Sequence, residues 1–390
     1  MTDGRLGALS GLLRARADEL AAWDAAGGVP REFVNALAST GVLGAMLGPE
    51  AGGTAWTVPE YVEACRRLAG HSPSAQTLLT AHAMVCRAVD RWGSASLRKH
   101  LGPLARGEAL GAFALTDDSA GSDARSLGTS AVEQAGGWRL EGTKRWVCFG
   151  WYASHLLVFA RAEQGDVAFV VLASDPGVRI EPEEPVRGLA TSHLAKVHME
   201  GVLVPADRMV ARPGFAVSQV ATRTLRLGRL CVAAGALGVA EWCRDVLMER
   251  ATTRQQFGGP LSDLGGVRSM IAEATLASLS ALHCVRDAAE AMEHDDPEVE
   301  RLVIAAKLTA TAAATTAARA AAQVHGARGL LADSTVDRRV QDARAMEIIE
   351  GSTELLRDAF VTQGLAEWRQ RRRGRAVPRG GRRSRTGGAA

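Results

Sequence analysis

The 390-residue sequence is poor in aromatic side chains, which make up 5% of it, and its six cysteines form no C-x-x-C pair. Scattered cysteines favour free thiols in a reducing compartment over a disulfide framework. No run of about 18 apolar residues without charge is present, which predicts no membrane-spanning helix. The N-terminal residues lack the apolar core of a secretory signal. These absences predict a cytoplasmic protein without a membrane partner.

Several sequence motifs of common enzymes are also missing. No G-x-G-x-x-G loop follows a predicted strand, which argues against a nicotinamide-binding unit. Neither a Walker A loop nor a G-x-S-x-G elbow is found. The nine histidines show no H-E-x-x-H motif and no ligand spacing with cysteine, so we predict no metal site. We interpret His193 and His198, which lie in a β-rich stretch, as structural residues.

The charge is unevenly distributed along the chain. Residues 369–390 contain nine arginines and no acidic residue, so the net charge of +3 becomes −6 for residues 1–368. A Gly-, Arg- and Pro-rich segment with few apolar residues is predicted to be disordered. Such a tail suits an acidic partner or a nucleic acid, and it equally suits a solvated terminus without a role. A nucleic-acid partner is not favoured, because the rest of the chain is acidic.

The hydrophobic pattern changes twice along the chain. Residues 1–108 place apolar side chains at three- and four-residue spacing, which predicts helices. Residues 109–211 contain short β-rich runs such as "HLLVFARA" and "DVAFVVLA", which predict a small antiparallel β domain. Residues 212–368 return to longer helical patterns joined by short turns, and these predict an antiparallel bundle.

The stretch "AMEIIEGSTELLR", residues 345–357, places an acidic residue at a predicted helix break. Gly351 suits the left-handed position just past a helix end, and Ser352 or Thr353 suits the cap of the next helix. Glu350 would then lie at a C-terminal helix end, where the macrodipole disfavours negative charge. A carboxylate in that position has a raised pKa, which suits a general base. The same residues also fit an alternative interpretation, in which Glu350 is an ordinary surface glutamate at the corner between two helices.

Six segments, in order along the chain, resemble the acyl-CoA dehydrogenase superfamily. They are "GPEAGG", "FALTDDSAGSDARSLGTSA", "GTKRWVCFGWYASHLLVFA", "VLVPADRMV", "RQQFGGPL" and "QVHGARGLLADSTVDRRVQDARAMEIIEGSTELLR". The resemblance covers about residues 20 to 365. It implies a mainly α fold with an N-terminal helical domain, a central antiparallel, barrel-like β domain and a C-terminal four-helix bundle. It also implies a noncovalent FAD, an acyl thioester substrate, a homodimer or homotetramer, and an electron acceptor that the sequence leaves undefined.

The resemblance also assigns roles to individual residues, matched motif by motif. The residues expected along the flavin ring are Leu115, Thr116, Ser122, Trp146 and Cys148. Those expected to reach the FAD of a neighbouring subunit are Arg254, Phe257, Gln323 and Gly326. Ser352 and Glu354 match residues near the pyrophosphate and the adenosine ribose. The substrate side is expected to involve Ser122, Arg226, Arg229 and Gly351.

Glu350 falls on the catalytic base of the family, in the "EGS" motif. Some branches carry the base in the first helix of the bundle, and the corresponding position here is Gly228, which has no acid. The resemblance therefore implies that Glu350 removes the α-proton of a thioester. Glu347 and Glu354 lie one turn away and receive no such role from it.

Three positions depart from the pattern. Cys148 stands where a hydroxyl usually faces the flavin N5, and a thiol is a weaker donor. Gly265 replaces a glutamine on the adenine side. Arg226 replaces an aspartate that helps to bind CoA in relatives, which favours an acyl group on an acidic acyl carrier protein over free acyl-CoA.

Other functions remain open at this point. "MEIIEGS" resembles dehydrogenases of polyketide extender-unit and other bacterial secondary pathways. This resemblance gives a first alternative function, the oxidation of a carrier-bound hydroxyacyl extender unit. A flavin-dependent oxygenase or oxidase on the same fold is a second alternative, which Cys148 leaves open and Glu350 disfavours. A helical scaffold without catalytic activity is a third.

Overall fold

The computed structural model describes residues 2–118, 121, 123 and 126–375. The first part of the chain is helical. Its helices are α1 (Thr2–Ala15), α2 (Ala17–Ala26), α3 (Arg31–Ser39), α4 (Val58–His71), α5 (Pro73–Trp92), α6 (Ala95–Arg98) and α7 (Leu101–Ala105). Helix α5 is buried on every side from Pro73 to Cys86, because it contacts α4, the first strand of the sheet and the first long helix of the bundle. It is therefore the element on which all three parts of the fold meet.

A seven-stranded sheet follows the first helices. Its strands are β1 (Gly111–Ala114), β2 (Ser130–Gln134), β3 (Gly137–Val147), β4 (His155–Ala162), β5 (Gly165–Leu172), β6 (Val178–Pro182) and β7 (Ala195–Pro205). The strand order is β1-β4-β2-β3-β7-β6, and β5 pairs with β4. The long ladders are antiparallel, as predicted, whereas β1 and β2 each pair with β4 in the parallel sense. Alternating Val, Leu and Phe side chains of β4 and β5 fill the interior.

The last part of the chain is a bundle of long helices. These are α8 (Thr222–Thr253), α9 (Gly265–Glu293), α10 (Val299–His325), α11 (Thr335–Ile348) and α12 (Thr353–Arg375), and a hairpin of β8 (Gln255–Gln256) and β9 (Gly259–Pro260) joins α8 to α9. Buried alanines along α10 let α8 and α9 pack closely against it. The mainly α fold with a central sheet and a C-terminal helical bundle confirms the predicted fold class.

The C-terminal boundary differs from the prediction. Helix α12 continues through residues 369–375, so the expectation of disorder from Arg369 onward is wrong for that stretch. Arginine is a good helix former, and the Arg372 guanidinium lies over the Trp368 ring at 4.9 Å from its centroid. Residues 376–390 lie outside the described part of the chain.

A buried ion-pair cluster connects the three parts of the fold. Arg339 on α11 donates to Asp342 at 3.0 Å, to Asp24 of α2 at 3.4 Å and to the His71 carbonyl at 2.8 Å. Asp342 in turn accepts from the backbone N–H of Leu189 at 2.7 Å. Removing one partner of such a buried pair typically costs about 3–5 kcal/mol. The cluster thereby fixes α11, and the turn that follows it, against both other parts.

Among the residues that the structure describes, no helix combines the length and the apolar character needed to cross a membrane.

Candidate active site

The turn between α11 and α12 carries Glu350 in an unusual backbone conformation. Helix α11 ends at Ile348, and α12 begins at Thr353. Glu350 has a φ of 55° and Gly351 a φ of 103°, so both lie in the left-handed region. Glycine adopts this region freely, but for glutamate it is uncommon and costs on the order of 1–3 kcal/mol. The surrounding structure must therefore hold Glu350 in place.

Two cations hold the backbone of this turn. Lys307 Nζ, on α10, donates to the Ile349 carbonyl at 2.6 Å and also to the Gly351 carbonyl. Arg229 Nε, on α8, donates to the carbonyl of Glu350 itself at 3.2 Å. Three consecutive carbonyl groups of the turn thus accept hydrogen bonds from charged donors on the bundle helices.

The Glu350 carboxyl group lies against a glycine of α8. A Cβ atom built on Gly228 would stand 2.8 Å from Glu350 Oε2 and 2.8 Å from Met84 Sδ, closer than real Cβ contacts allow. The missing side chain at Gly228 is therefore what leaves room for the carboxylate. The structure places Glu350 beside the very position that the resemblance named as the alternative site for a base.

The environment of this carboxyl group suits a base. Glu350 Oε2 is buried and has no hydrogen-bond partner among the described residues, although the residue as a whole retains partial exposure. Burial raises the pKa of Glu350, and the positive charges of Arg229 and Lys307 oppose that rise. Sequence analysis attributed the raised pKa to the helix macrodipole, whereas the structure gives loss of hydration as its main cause.

Cys148 lies between the sheet and α5, near Glu350. Its thiol donates to Thr77 Oγ1 at 3.0 Å. Burial raises the pKa of the Cys148 thiol to about 12, and the negative charge of Glu350 contributes to the rise. At neutral pH the group is therefore a neutral thiol rather than a nucleophilic thiolate.

The predicted flavin-ring residues at the ends of β1 and β3 are brought together. The Thr116 carbonyl accepts from the Arg145 N–H at 2.9 Å, and Leu115 O accepts from Lys144 Nζ at 2.9 Å. Trp146 follows with a φ of 57° and a side chain that is 45% exposed. An indole held in a fixed backbone conformation with its ring open to solvent offers a stacking surface for a planar aromatic group. Ser122 lies outside the described residues.

A buried ion pair supports this segment. Lys144 is fully buried, and its Nζ donates to Asp117 at 2.9 Å. Asp117 also accepts from the backbone N–H groups of Gly128 and Thr129. Burial lowers the pKa of Lys144 to about 8 in spite of the Asp117 charge. The pair fixes the end of β3, which carries the exposed indole of Trp146, against the segment that follows β1.

The residues predicted to reach a neighbouring FAD lie far from Glu350. Arg254 ends α8, 26 residues beyond Gly228, which at 1.5 Å per residue is about 39 Å along the helix. Phe257, at the tip of the hairpin, is 91% exposed. Gln323 and Gly326 are exposed at the end of α10, about 24 Å along that helix from Lys307. These residues thus lie toward the C-terminal ends of α8 and α10, away from the Glu350 cluster.

The remaining predicted residues lie around the start of α12 and on α8. Ser352 Oγ accepts from the Leu355 N–H at 3.4 Å, and Glu354 is exposed in the first turn of α12. Arg226 and Arg229 both bond to Glu300, at 2.8 and 2.7 Å. Sequence analysis did not foresee this internal partner, and the role of the two arginines in substrate binding remains a prediction.

Two features of the site were missed by sequence analysis. Lys307 is the lone cation of the alanine-rich stretch "LVIAAKLTATAAATTAA", and a charge in so apolar a helix is the signal that could have identified it.

Gln76 on α5 is fully buried. Its amide nitrogen donates to Thr80 at 2.9 Å and to the Cys231 carbonyl at 3.2 Å, while its Oε1 has no partner among the described residues. One face of α5 thus carries Gln76, Thr80 and Met84 along the glycine-containing side of α8.

Among the described residues, the buried Oε2 atom of Glu350 has no hydrogen-bond partner, and the Glu350 charge acts on the Cys148 thiol, which follows the exposed indole of Trp146 by two residues. Three family models match the chain: the N-terminal domain of acyl-CoA dehydrogenase over residues 12–108, the middle domain over 112–202 and the C-terminal domain over 218–365. The chain belongs to the acyl-CoA dehydrogenase family. Members of this family are FAD-dependent oxidoreductases that act on CH–CH bonds, and acyl-CoA substrates and oligomeric assembly are typical of them.

Individual relatives agree with this assignment. The mouse mitochondrial short-chain specific acyl-CoA dehydrogenase is 32% identical over 285 residues, which are 72% of this chain and 69% of the relative. The structure of butyryl-CoA dehydrogenase from Megasphaera elsdenii superposes with a TM-score of 0.89 at 27% identity, over 93% of this chain and 98% of the other. A structure titled FkbI for biosynthesis of the methoxymalonyl extender unit of a polyketide superposes with a TM-score of 0.85 at 31% identity, over 92% and 99% of the two chains.

Proposed function

We propose that this protein is an FAD-dependent acyl-thioester dehydrogenase in which Glu350 removes the α-proton of the substrate. The observation that carries the proposal is the buried Oε2 atom of Glu350 beside Gly228, for which the described residues offer no hydrogen-bond partner. A carboxylate that has lost its hydration and gained no hydrogen bond is a stronger base than one in water. The α-proton of a thioester is weakly acidic, so its removal needs such a base.

The residues around Glu350 and Cys148 fit FAD as the cofactor. Trp146, Thr116 and Leu115, at the ends of β1 and β3, would form the wall along the flavin ring, and Cys148, two residues after Trp146, lies near enough to Glu350 for the charge of Glu350 to raise its pKa. FAD, when bound, supplies the acceptor for the hydride that leaves the β-carbon. The protein then has to hold the thioester between this wall and Glu350, exclude water and keep Glu350 ionised.

We propose in addition that the protein works as a homo-oligomer. Arg254 and Phe257 are exposed about 39 Å along α8 from the residue that touches Glu350, so they fit the FAD of a second copy rather than that of their own chain. A guanidinium group there can bond to a pyrophosphate. Gln323 and Gly326, also exposed and distant from Glu350, fit the same role.

For the substrate, we favour an acyl group on an acyl carrier protein over free acyl-CoA. The family resemblance implies that Arg226 replaces an aspartate that helps to bind CoA, and the charge of Arg226 is shared with Glu300. The relative titled for the biosynthesis of a polyketide extender unit supports a place in secondary metabolism, including the oxidation of a carrier-bound hydroxyacyl unit. The test is to measure the rate of flavin reduction by the same acyl group attached to CoA and attached to an acyl carrier protein. The carrier that gives the faster reduction is the preferred one.

Glu350→Gln tests the proposed base. Glutamine keeps the shape of the side chain but accepts no proton, so FAD should stay bound while reduction of the flavin by substrate falls about 10²–10⁴-fold. Substrate affinity should change far less, because the carboxylate acts mainly in the transition state. The measurement is the bleaching of the flavin absorption band in anaerobic stopped flow, and reduction by dithionite should stay normal.

Glu347→Gln is the matched control. Glu347 lies one turn before Glu350, accepts from Thr315 at 3.0 Å and pairs with Arg344 on the surface, so its loss of charge should leave flavin reduction near the wild-type rate. A normal rate in Glu350→Gln would show that the base lies elsewhere or that the reaction is not α,β-dehydrogenation. Product that forms only in the presence of oxygen would instead favour the oxygenase alternative.

A further inference from the structure

Lys307 is a buried cation that forms no ion pair with a carboxylate of the described part of the chain. Its side chain is 1% exposed, and its ammonium group donates to two backbone carbonyls, those of Ile349 and Gly351. Among the described residues, no carboxylate lies within ion-pair distance of Lys307 Nζ. Burial lowers the pKa of Lys307 to about 8, and the negative charge of Glu350 is the largest factor that opposes this. At neutral pH the amine therefore remains mostly protonated.

A charge in this position is costly. The neighbours of Lys307 on α10 are mainly small apolar residues, and an apolar side chain of similar length would fill the same space without desolvating an ammonium group. The two carbonyls that it contacts flank the one residue of the turn with a strained backbone, Glu350. The hydrogen bonds of the Lys307 amine therefore act mainly on the backbone conformation of Glu350.

We propose that Lys307 is a positioning residue for the catalytic base: by binding the carbonyls on both sides of Glu350 it holds the left-handed turn that directs the carboxyl group toward Gly228, and its positive charge keeps that carboxyl group ionised. The inference rests on the proposed function of Glu350. It adds to that function a second residue, on a different helix, that the reaction needs without touching the substrate.

Other groups also act on the pair. Arg229 on α8 donates to the Glu350 carbonyl and is itself held by Glu300 of α10. The thiols of Cys148 on the β3 side and of Cys231 on α8 lie close enough to the Glu350 carboxylate for its charge to raise their pKa values. Glu347 of α11 adds a weaker negative charge near Lys307. None of the three substitutions described next alters these groups, so they isolate the effect of Lys307.

The test compares Lys307→Met, Lys307→Gln and Lys307→Arg in the FAD-loaded full chain. Met removes both the donors and the charge, Gln keeps a donor without the charge, and Arg keeps the charge in a larger group. Thr311→Val is the matched control, because Thr311 is buried one turn along α10 and its hydroxyl bonds only within that helix. Two quantities are measured: the pH dependence of flavin reduction, and the infrared titration of the Glu350 carboxyl band, identified as the band absent from Glu350→Gln.

Lys307→Met should slow flavin reduction about 10²-fold, the loss expected for a base displaced by about 1 Å, with thioester affinity largely retained. Its infrared titration and the acid limb of its rate profile should both move to higher pH, because a positive charge that favours the carboxylate is gone. Lys307→Gln should recover part of the rate but keep the shifted titration. Lys307→Arg should bring the titration back toward that of the wild type, and Thr311→Val should match the wild type in both measurements.

A titration of Glu350 at the wild-type pH in Lys307→Met would overturn the proposal, whether or not the variant is less stable, because Lys307 would then support only the fold. If Lys307→Met does not fold, an unshifted titration in Lys307→Gln overturns it in the same way. A failure of the proposed function is recognised separately: Glu350→Gln then reduces normally, while the infrared band still shows whether Lys307 controls Glu350.

Discussion

Gly228→Ala tests the confinement of the Glu350 carboxylate with the smallest possible change. The new methyl carbon would stand 2.8 Å from Glu350 Oε2, and ordinary contacts of a Cβ atom begin at 3.4 Å. The Glu350 carboxyl oxygen and the Met84 sulfur must therefore each move away from the new methyl group by about 0.6 Å. Because a misplacement of about 1 Å can cost on the order of 10²-fold in rate, we expect flavin reduction to slow by roughly 10- to 100-fold.

The same substitution should leave the fold nearly intact. Both crowded atoms are ends of flexible side chains, and replacing glycine by alanine inside a helix contributes up to about 1 kcal/mol of stability. The free energy of unfolding, measured by urea titration of the FAD-loaded protein, should therefore change by no more than about 1 kcal/mol. A loss of activity without a loss of stability separates crowding of the base from damage to the core.

Gly70→Ala on α4 is the control for this experiment. It is also a glycine inside a helix, but the nearest atom to its added Cβ would be a carbonyl oxygen at 3.8 Å, an ordinary contact. It should reduce flavin at the wild-type rate. If Gly228→Ala does the same, while Glu350→Gln is inactive, the carboxylate is not held against Gly228 during the reaction and the geometry described above is not the catalytic one.

Two further predictions concern the cofactor segment and the shared FAD. Lys144→Met leaves the buried Asp117 carboxylate without its cation and should lower the free energy of unfolding by about 3–5 kcal/mol. Arg106→Met breaks the exposed pair with Glu108 and should cost far less, so equal losses in urea unfolding would contradict the role of burial. Arg254→Ala should weaken FAD binding by about 1.5–3 kcal/mol, as expected for a hydrogen bond to a charged group, and should leave reduction of the FAD-saturated enzyme nearly unchanged. Arg244→Ala, at a surface pair on the same helix, serves as its control, and unchanged FAD affinity in Arg254→Ala would remove the proposed contact.

The parts of the fold that depend on local pattern were predictable. The spacing of apolar residues along α5, α8 and α10 predicts helices, and the β-branched runs of β4 and β5 predict strands, because each pattern reflects one buried face. The parallel pairing of β1 with β4 was not predictable, because four residues, Gly111–Ala114, carry no signal for the direction of their neighbour. The extension of α12 to Arg375 was missed for a related reason: a run of arginines reads equally as a solvated tail and as an exposed helix.

Within the site, Glu350 and Gly351 were predictable as a pair, because glycine after an acidic helix end is a local signal. The cause of the raised pKa of Glu350 was not, since burial depends on residues more than a hundred positions away, such as Gly228. Arg226 and Arg229 show the same limit. Their spacing predicts two charges on one face of α8, but only the packing of α10 against that face reveals that Glu300 already binds both.

The backbone of the turn explains why the base lies between two helices rather than within one. Inside a helix, the carbonyls of residues 349 to 351 would bond to N–H groups four residues further on, and nothing would be left for Lys307 or Arg229 to hold. Because the helix ends at Ile348, these carbonyls are free to accept from two cations, while Glu350 adopts a left-handed φ and its carboxyl group lies against Gly228. The hydrogen bonds from Lys307 to the Ile349 and Gly351 carbonyls offset part of both costs, the strain at Glu350 and the burial of the Lys307 charge, so the turn and α10 have to be considered together.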